Sequence, residues 1–256
     1  MNEIDLRPYL LPKHRAVFAA LRNLSRRIGS EHWCLVGGLM VLTVGAQHGA
    51  GGRRSESTKD GDIVVDLVAA PGMLQRVTST LMSHGFTIAD TVGGSGEHAG
   101  DNAARCTLVY YNAQIDILCP DGTPETLLDS VEGMRSIAIP GGTRALELSE
   151  LVDVYFDENE ANAEFRCPTL HGALVTKASA AVDQRTADQP RHIQDVAFML
   201  TLIHDPIGFA AAFTDGDRAV LGQAFDRMAH MPAWDHLGGD DRRLAESTVR
   251  LLNQPT

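Results

Sequence analysis

Between residues 32 and 119 the chain alternates apolar runs of strand length with patterns of helical length, which restricts it to helices packed on a sheet. Residues 32–36 read as a buried strand, Gly37-Gly38 follows directly, and the apolar stretch 39–44 continues as a helix. Further on, 62–68 reads as a strand, 71–84 as a helix and 86–89 as a short strand. The runs 104–111 and 114–119 flank Asn112-Ala113 at hairpin spacing. Ahead of all these, Val17, Leu21, Leu24 and Ile28 recur with helical period among basic residues, and Gly29-Ser30 ends the pattern. Two glycine-rich stretches without period, 45–57 and 93–102, are expected to be loops. From about residue 145 glycine thins out and apolar residues take helical spacing, apart from a strand-like run at 164–167. The expected architecture is an α/β (α+β) core with a mixed sheet over 1–145, then a mainly α-helical domain over 146–256. The boundary is placed at Pro140-Gly141-Gly142.

Composition excludes several classes. With 256 residues, 44% of them hydrophobic and 21% charged, the chain buries a core without staples and is not disordered. No run approaches the roughly 20 apolar residues of a membrane span, and the first segment mixes acids, a proline and bases where a signal peptide needs an apolar stretch. A cytoplasmic location without membrane partners is expected. Cys34, Cys106, Cys119 and Cys167 form no CxxC pair, so they are read as buried small hydrophobes. The net charge of −11 opposes promiscuous nucleic-acid binding, yet Arg22, Arg26, Arg27, Arg53 and Arg54 are clustered enough for a local patch. The plainer reading of those arginines is a solvated helix face and loop.

Against this background the carboxylates stand out. Asp60 and Asp62, two apart in an extended segment, project to one face, and hard divalent cations prefer such oxygen ligands. Asp66 lies further along that face, as a structural carboxylate or a decoy. Asp116 interrupts an apolar strand, where a charge is costly unless it is paired, with Arg105 for instance, or coordinates metal. If the two strands are neighbours, three carboxylates surround a site for two magnesium ions roughly 4 Å apart. In the second half Lys177 falls on the apolar stripe of a helix, where it either snorkels to the edge or serves a site.

In this order Val36-Gly37-Gly38, Thr58-Lys59-Asp60-Gly61-Asp62 and Ile115-Asp116-Ile117 resemble the signature of the DNA polymerase β-like nucleotidyltransferase superfamily. Within it the chain is most similar to AbiEii/MenT-type toxin-like nucleotidyltransferases and, in its first half, to aminoglycoside and lincosamide nucleotidyltransferases. The run Lys177, Arg185, Arg191-His192-Ile193-Gln194-Asp195 resembles the family's second signature. Two departures stand: Gly38 occupies the usual serine position, and the stretch from Gly38 to Asp60 is longer than in the antibiotic-modifying relatives.

The resemblance implies transfer of a nucleoside monophosphate from a nucleoside triphosphate such as ATP to an acceptor hydroxyl. Asp60, Asp62 and Asp116 would hold Mg2+ or Mn2+, with Gly37, Gly38, Thr58, Lys177 and Asp195 around the nucleotide. Asp66, Arg185 and His192 are left undecided. It further implies a tRNA 3′ end as acceptor and an antitoxin as partner. The acidic balance instead suits a cationic small molecule such as an aminoglycoside. A non-catalytic nucleotide-binding or protein-binding role is the third alternative. The Walker, nucleophile-elbow and HExxH patterns are absent.

Overall fold

In the computed structural model the described residues are 2–53, 61–89, 106–129, 131–158, 162–186, 189–231 and 233–253. They form a mixed α/β architecture of two sheets and ten α-helices.

The larger sheet begins with β2 (Trp33–Val36), whose four residues are all buried, and β3 (Gly61–Val65). Strands β4 (Thr87–Ile88), β5 (Thr107–Tyr110), β6 (Ala113–Pro120) and β7 (Ile137–Ile139) complete it. Its order is β2-β3-β6-β5-β4, with β7 pairing β6. Only the β3/β6 and β6/β7 pairs are parallel, so the expected mixed sheet is present. The hairpin joining β5 to β6 turns at Tyr111-Asn112, one residue earlier than expected, because Tyr110 pairs with Ala113 and Tyr111 takes the left-handed backbone at φ 51°.

Helices cover this sheet for reasons visible in their periods. Helix α1 (Pro12–Ile28) buries Val17, Phe18, Leu21 and Leu24, with proline in its first turn and Gly29 at φ 69° ending it. Helix α2 (Gly37–Gln47) is apolar all round and buried, and it runs on into the stretch expected to be loop. Gly45 belongs to it because Phe198 presses on the helix there, leaving no room for a larger side chain. Helix α3 (Met73–Ser83) packs against α1.

The sequence reading missed the smaller sheet. It consists of β1 (Asn2–Asp5), β8 (Ser149–Tyr155) and β9 (Asn162–Pro168), in the order β1-β8-β9. The expected strand at 164–167 lies in β9, whereas β8 falls where helix was expected. The alternation of apolar Val152, Val154 and Phe156 marks it, but over so few residues it is easily lost among helical spacings. Pairing of β1 with β8 ties the chain's start to a segment beyond residue 145. Phe165 of β9 stacks on Trp33 of β2 at 6.3 Å and lies 5.9 Å from Phe18 of α1, so the two sheets share one core.

Beyond β9 the chain is helical, as expected: α6 (Leu170–Val182), α7 (Gln189–Leu200), α8 (Pro206–Ala211), α9 (Asp215–Met228) and α10 (Gly239–Leu252). The short helices α4 (Glu125–Leu128) and α5 (Gly142–Glu147) precede β8. No helix among the described residues is long and apolar enough to cross a membrane. All four cysteines are free and buried.

One ion pair fixes α9 to α5. Arg144 donates Nε and Nη2 to the two oxygens of Asp217 at 3.0 and 2.6 Å, and Asp217 also closes the capping box with Thr214. Burial pushes this carboxyl up, but the Arg144 and Thr214 hydrogen bonds outweigh it and hold it below the usual carboxylate range. A lowered folded-state pKa adds stability above the unfolded value near 4, which is lost as pH falls through the folded value. Asp217→Asn should therefore cost about 2 kcal/mol at pH 7. Urea denaturation at pH 7 and pH 3 should show the gap from wild type narrowing at the lower pH; an unchanged gap would refute the charge as its source.

Candidate active site

The parallel pairing of β3 with β6 sets Asp62 opposite Asp116, and the next antiparallel pairing sets Thr107 opposite Asp116. Residues in register on adjacent strands point to the same face, so the two carboxylates stand side by side. Asp116 is 4% exposed. Thr107 donates its hydroxyl to Asp116 Oδ1 at 2.6 Å, and Gln114 donates Nε2 to the same oxygen at 3.2 Å. Hydrogen bonds thus offset part of the cost of a buried charge. The thiol of Cys106 is held well above its usual range by burial first, then by the negative charges of Asp116 and Asp62.

Gly37 meets this pair from the end of β2. Its φ of 68° is the left-handed region that favours glycine, and a Cβ there would lie 1.7 Å from Asp62 Oδ2. The missing side chain therefore makes room for the carboxylate itself as well as for the strand-to-helix turn. Gly38 is the second residue of α2, whose amino-terminal end opens here without a side-chain cap.

Across the cleft stands α6. Lys177 is 5% exposed, with Nζ 2.9 Å from Asp195 Oδ2 and 3.4 Å from His192 Nδ1 on α7. Snorkelling does not describe this ammonium, which is buried in the cleft wall. Asp62, Gly37, Lys177 and His192 line one hollow of about 580 Å3 including its open mouth, with Leu118 and Ile139 among its apolar neighbours. Pro140 belongs to that wall, and Gly141, at φ 76°, approaches Ser179 of α6 too closely for any Cβ. The turn read as a domain boundary is therefore a packing point of the cleft.

Two of the residues left undecided, Asp66 and Arg185, are not among those lining the hollow. Asp66 accepts the backbone N–H groups of Val68 and Ala69 at 3.1 and 2.9 Å and caps the loop after β3. Arg185 pairs with Asp183 and its side chain is largely exposed. Asp60 and Thr58, like Arg54 and Arg105, lie outside the described residues. Missed by sequence reasoning were Thr107, Gln114 and Thr176. Hairpin register alone would have placed Thr107 beside Asp116, whereas Thr176 follows from α6 facing the cleft.

The donors fit magnesium or manganese in kind: Asp62 and Asp116 offer only oxygen, and no side chain of Gly37 intervenes. Among the described residues no group of three or more histidines, cysteines and acids converges as a metal site. The third carboxylate of the expected set, Asp60, is outside that description. No known family model matches the chain, and no curated protein matches it.

A direct test of the geometry is Gly37→Ala. The left-handed backbone costs about 1–2 kcal/mol for a non-glycine residue, and the methyl group must turn Asp62 away from its present position. Unfolding free energies from denaturant titration should fall by that amount, and Mn2+ titration followed by electron spin resonance should show binding at least tenfold weaker than in wild type. Unchanged Mn2+ binding in a folded variant would show that Asp62 does not depend on Gly37.

Proposed function

We propose that this protein is a metal-dependent nucleotidyltransferase with the polymerase β-like core, moving a nucleoside monophosphate from a nucleoside triphosphate to an acceptor hydroxyl. The observation that carries the reading is that Asp62, in register with the buried carboxylate of Asp116, lines one hollow with a buried, ion-paired lysine.

Asp62 and Asp116, with Asp60, would hold magnesium; when bound, the metal supplies charge neutralisation at phosphoryl oxygens. The chain's own residues have distinct tasks. Lys177 presents a fixed cation toward the phosphates, and Asp195 and His192 hold it in place, so little reorganisation is needed during transfer. Gly37-Gly38 leaves the α2 amino terminus accessible to phosphate oxygens, and Thr58, two residues before Asp60 in the sequence, would add a nucleotide contact as the resemblance implies. The acceptor oxygen bonds to the α-phosphorus as the bridge to the β-phosphate breaks; pyrophosphate leaves with that electron pair, and Asp116 takes the hydroxyl proton.

The acceptor we favour is a tRNA 3′ end, in line with the toxin-like resemblance, and an antitoxin partner would go with it. A second reading rests on the net charge of −11, which attracts a cationic small molecule such as an aminoglycoside.

Incubation with magnesium, each α-labelled nucleoside triphosphate and either total tRNA or an aminoglycoside panel tests both. Wild type should label one acceptor, and Asp62→Asn should lower the label by at least a hundredfold with little change in urea stability. Label on antibiotic alone would select the second reading. Inert wild type that still binds nucleotide would replace catalysis with a binding role.

A further inference from the structure

The β5–β6 hairpin carries an unusual tip. Tyr111 is 92% exposed and holds the left-handed backbone that glycine or asparagine occupies at lower cost, so neither burial nor turn chemistry explains a tyrosine there. Its ring meets Tyr110 edge-on at 4.7 Å, and Tyr110 lies 5.5 Å from Phe86. Phe86 is buried, so a three-ring series runs from the core to an open aromatic surface.

This tip lies at the sheet end where Gly37 and Asp62 stand, with Tyr110, like Ala113 and Ile115, on the face opposite the carboxylates, so that a strand held there reaches the site around the sheet end. Tyr110 pairs with Ala113, three residues before Asp116 on β6, which puts the hairpin end about 10 Å along the strand from the carboxylates. Behind the rings stand Arg26 and Arg27 at the end of α1, with Glu31 just beyond at Gly29. Gly85 touches Tyr110, His84 lies 3.5 Å from Asn23 on α1, and Arg27 donates to Ser83 at 3.0 Å. The two helices meeting there, α1 and α3, contain Lys13, Arg15, Arg22, Arg26, Arg27 and Arg76 and not one acid, in a chain whose net charge is −11. Arg15 pairs with Glu158 and Arg53, elsewhere, with Asp241, whereas Arg26 and Arg27 are exposed and Arg27 donates to the Ser83 hydroxyl.

We infer that the Tyr111–Tyr110 tip and the Arg26–Arg27 end of α1 form a docking surface for single-stranded RNA, stacking bases a few nucleotides from the strand's reacting end. The assignment rests on the nucleotidyl-transfer reading for its purpose, but its chemistry is independent: stacked rings take the π-faces of unpaired bases, and arginines take the phosphates between them. An aminoglycoside offers no aromatic face to this tip.

The test is fluorescence anisotropy of the full chain with a fluorescein-labelled unstructured oligoribonucleotide, in EDTA and without nucleotide, so that catalysis plays no part. Tyr111→Asn removes the ring while suiting the left-handed backbone, and it should weaken binding about five- to a hundredfold. Tyr111→Phe should bind like wild type. The double variant Arg26→Ala/Arg27→Ala should weaken binding and reduce the slope of log affinity against log salt by about 1 to 2. Equal affinity of wild type and Tyr111→Asn would overturn the surface, even if Asp62→Asn abolishes labelling. Ring-dependent oligonucleotide binding by a chain that labels no acceptor would uphold the surface and sink only the transfer reading.

Discussion

Two carboxylates side by side on neighbouring strands repel each other, and most of what surrounds the cleft answers that repulsion. The parallel register of β3 and β6 leaves Asp62 and Asp116 no freedom to separate. Thr107 and Gln114 spend their donors on Asp116, and Gly37 gives up its side chain so that Asp62 has room. Cys106, caught in the same field, is pushed far from ionisation. A fold selected for stability alone would place hydrophobic residues at one of these positions, because a buried ion replaced by an apolar side chain of similar volume is often neutral or stabilising.

The same reasoning applies across the cleft. Lys177 and Asp195 are each nearly inaccessible and 2.9 Å apart, and losing one partner of such a pair costs about 3–5 kcal/mol because the other is left charged and buried. The arrangement thus presents a cation whose position is set before any ligand arrives. His192, through Nδ1, adds a second contact, so the ammonium is held from α7 while it is carried by α6. Asp62 on an interior strand of the larger sheet and Lys177 on a separate helical layer line the cleft from two sides, and the shared aromatic core of Phe18, Trp33 and Phe165 keeps the two sheets and α1 together.

How much of this was legible in the chain differs by element. The strand, glycine turn and helix at 33–47 were readable because an all-apolar run followed by Gly37-Gly38 has few other solutions. Asp116 was readable because a lone carboxylate in an apolar strand breaks its own pattern. Pairing was not readable: nothing local says that β3 lies beside β6, and the partners of Asp116 follow only from that long-range register. Strand β8 was lost because Leu151, Val152 and Val154 fit a helical spacing over seven residues as well as an alternating one; only β1, some 150 residues earlier, decides the matter. Asp66 shows the converse, since a carboxylate in the same local pattern as Asp62 turns out to cap a loop.

Net charge says little about any one surface of the chain. A total of −11 describes the far field of the whole chain, whereas an incoming anion is steered by the sign of the surface it approaches. Helices α1 and α3 contain no acid, and their packing concentrates positive charge on one side. Acids elsewhere balance it without cancelling it locally, because at physiological salt fields fade over about 8 Å. An acidic protein can therefore present a cationic path to a nucleic acid while repelling it over the rest of its surface.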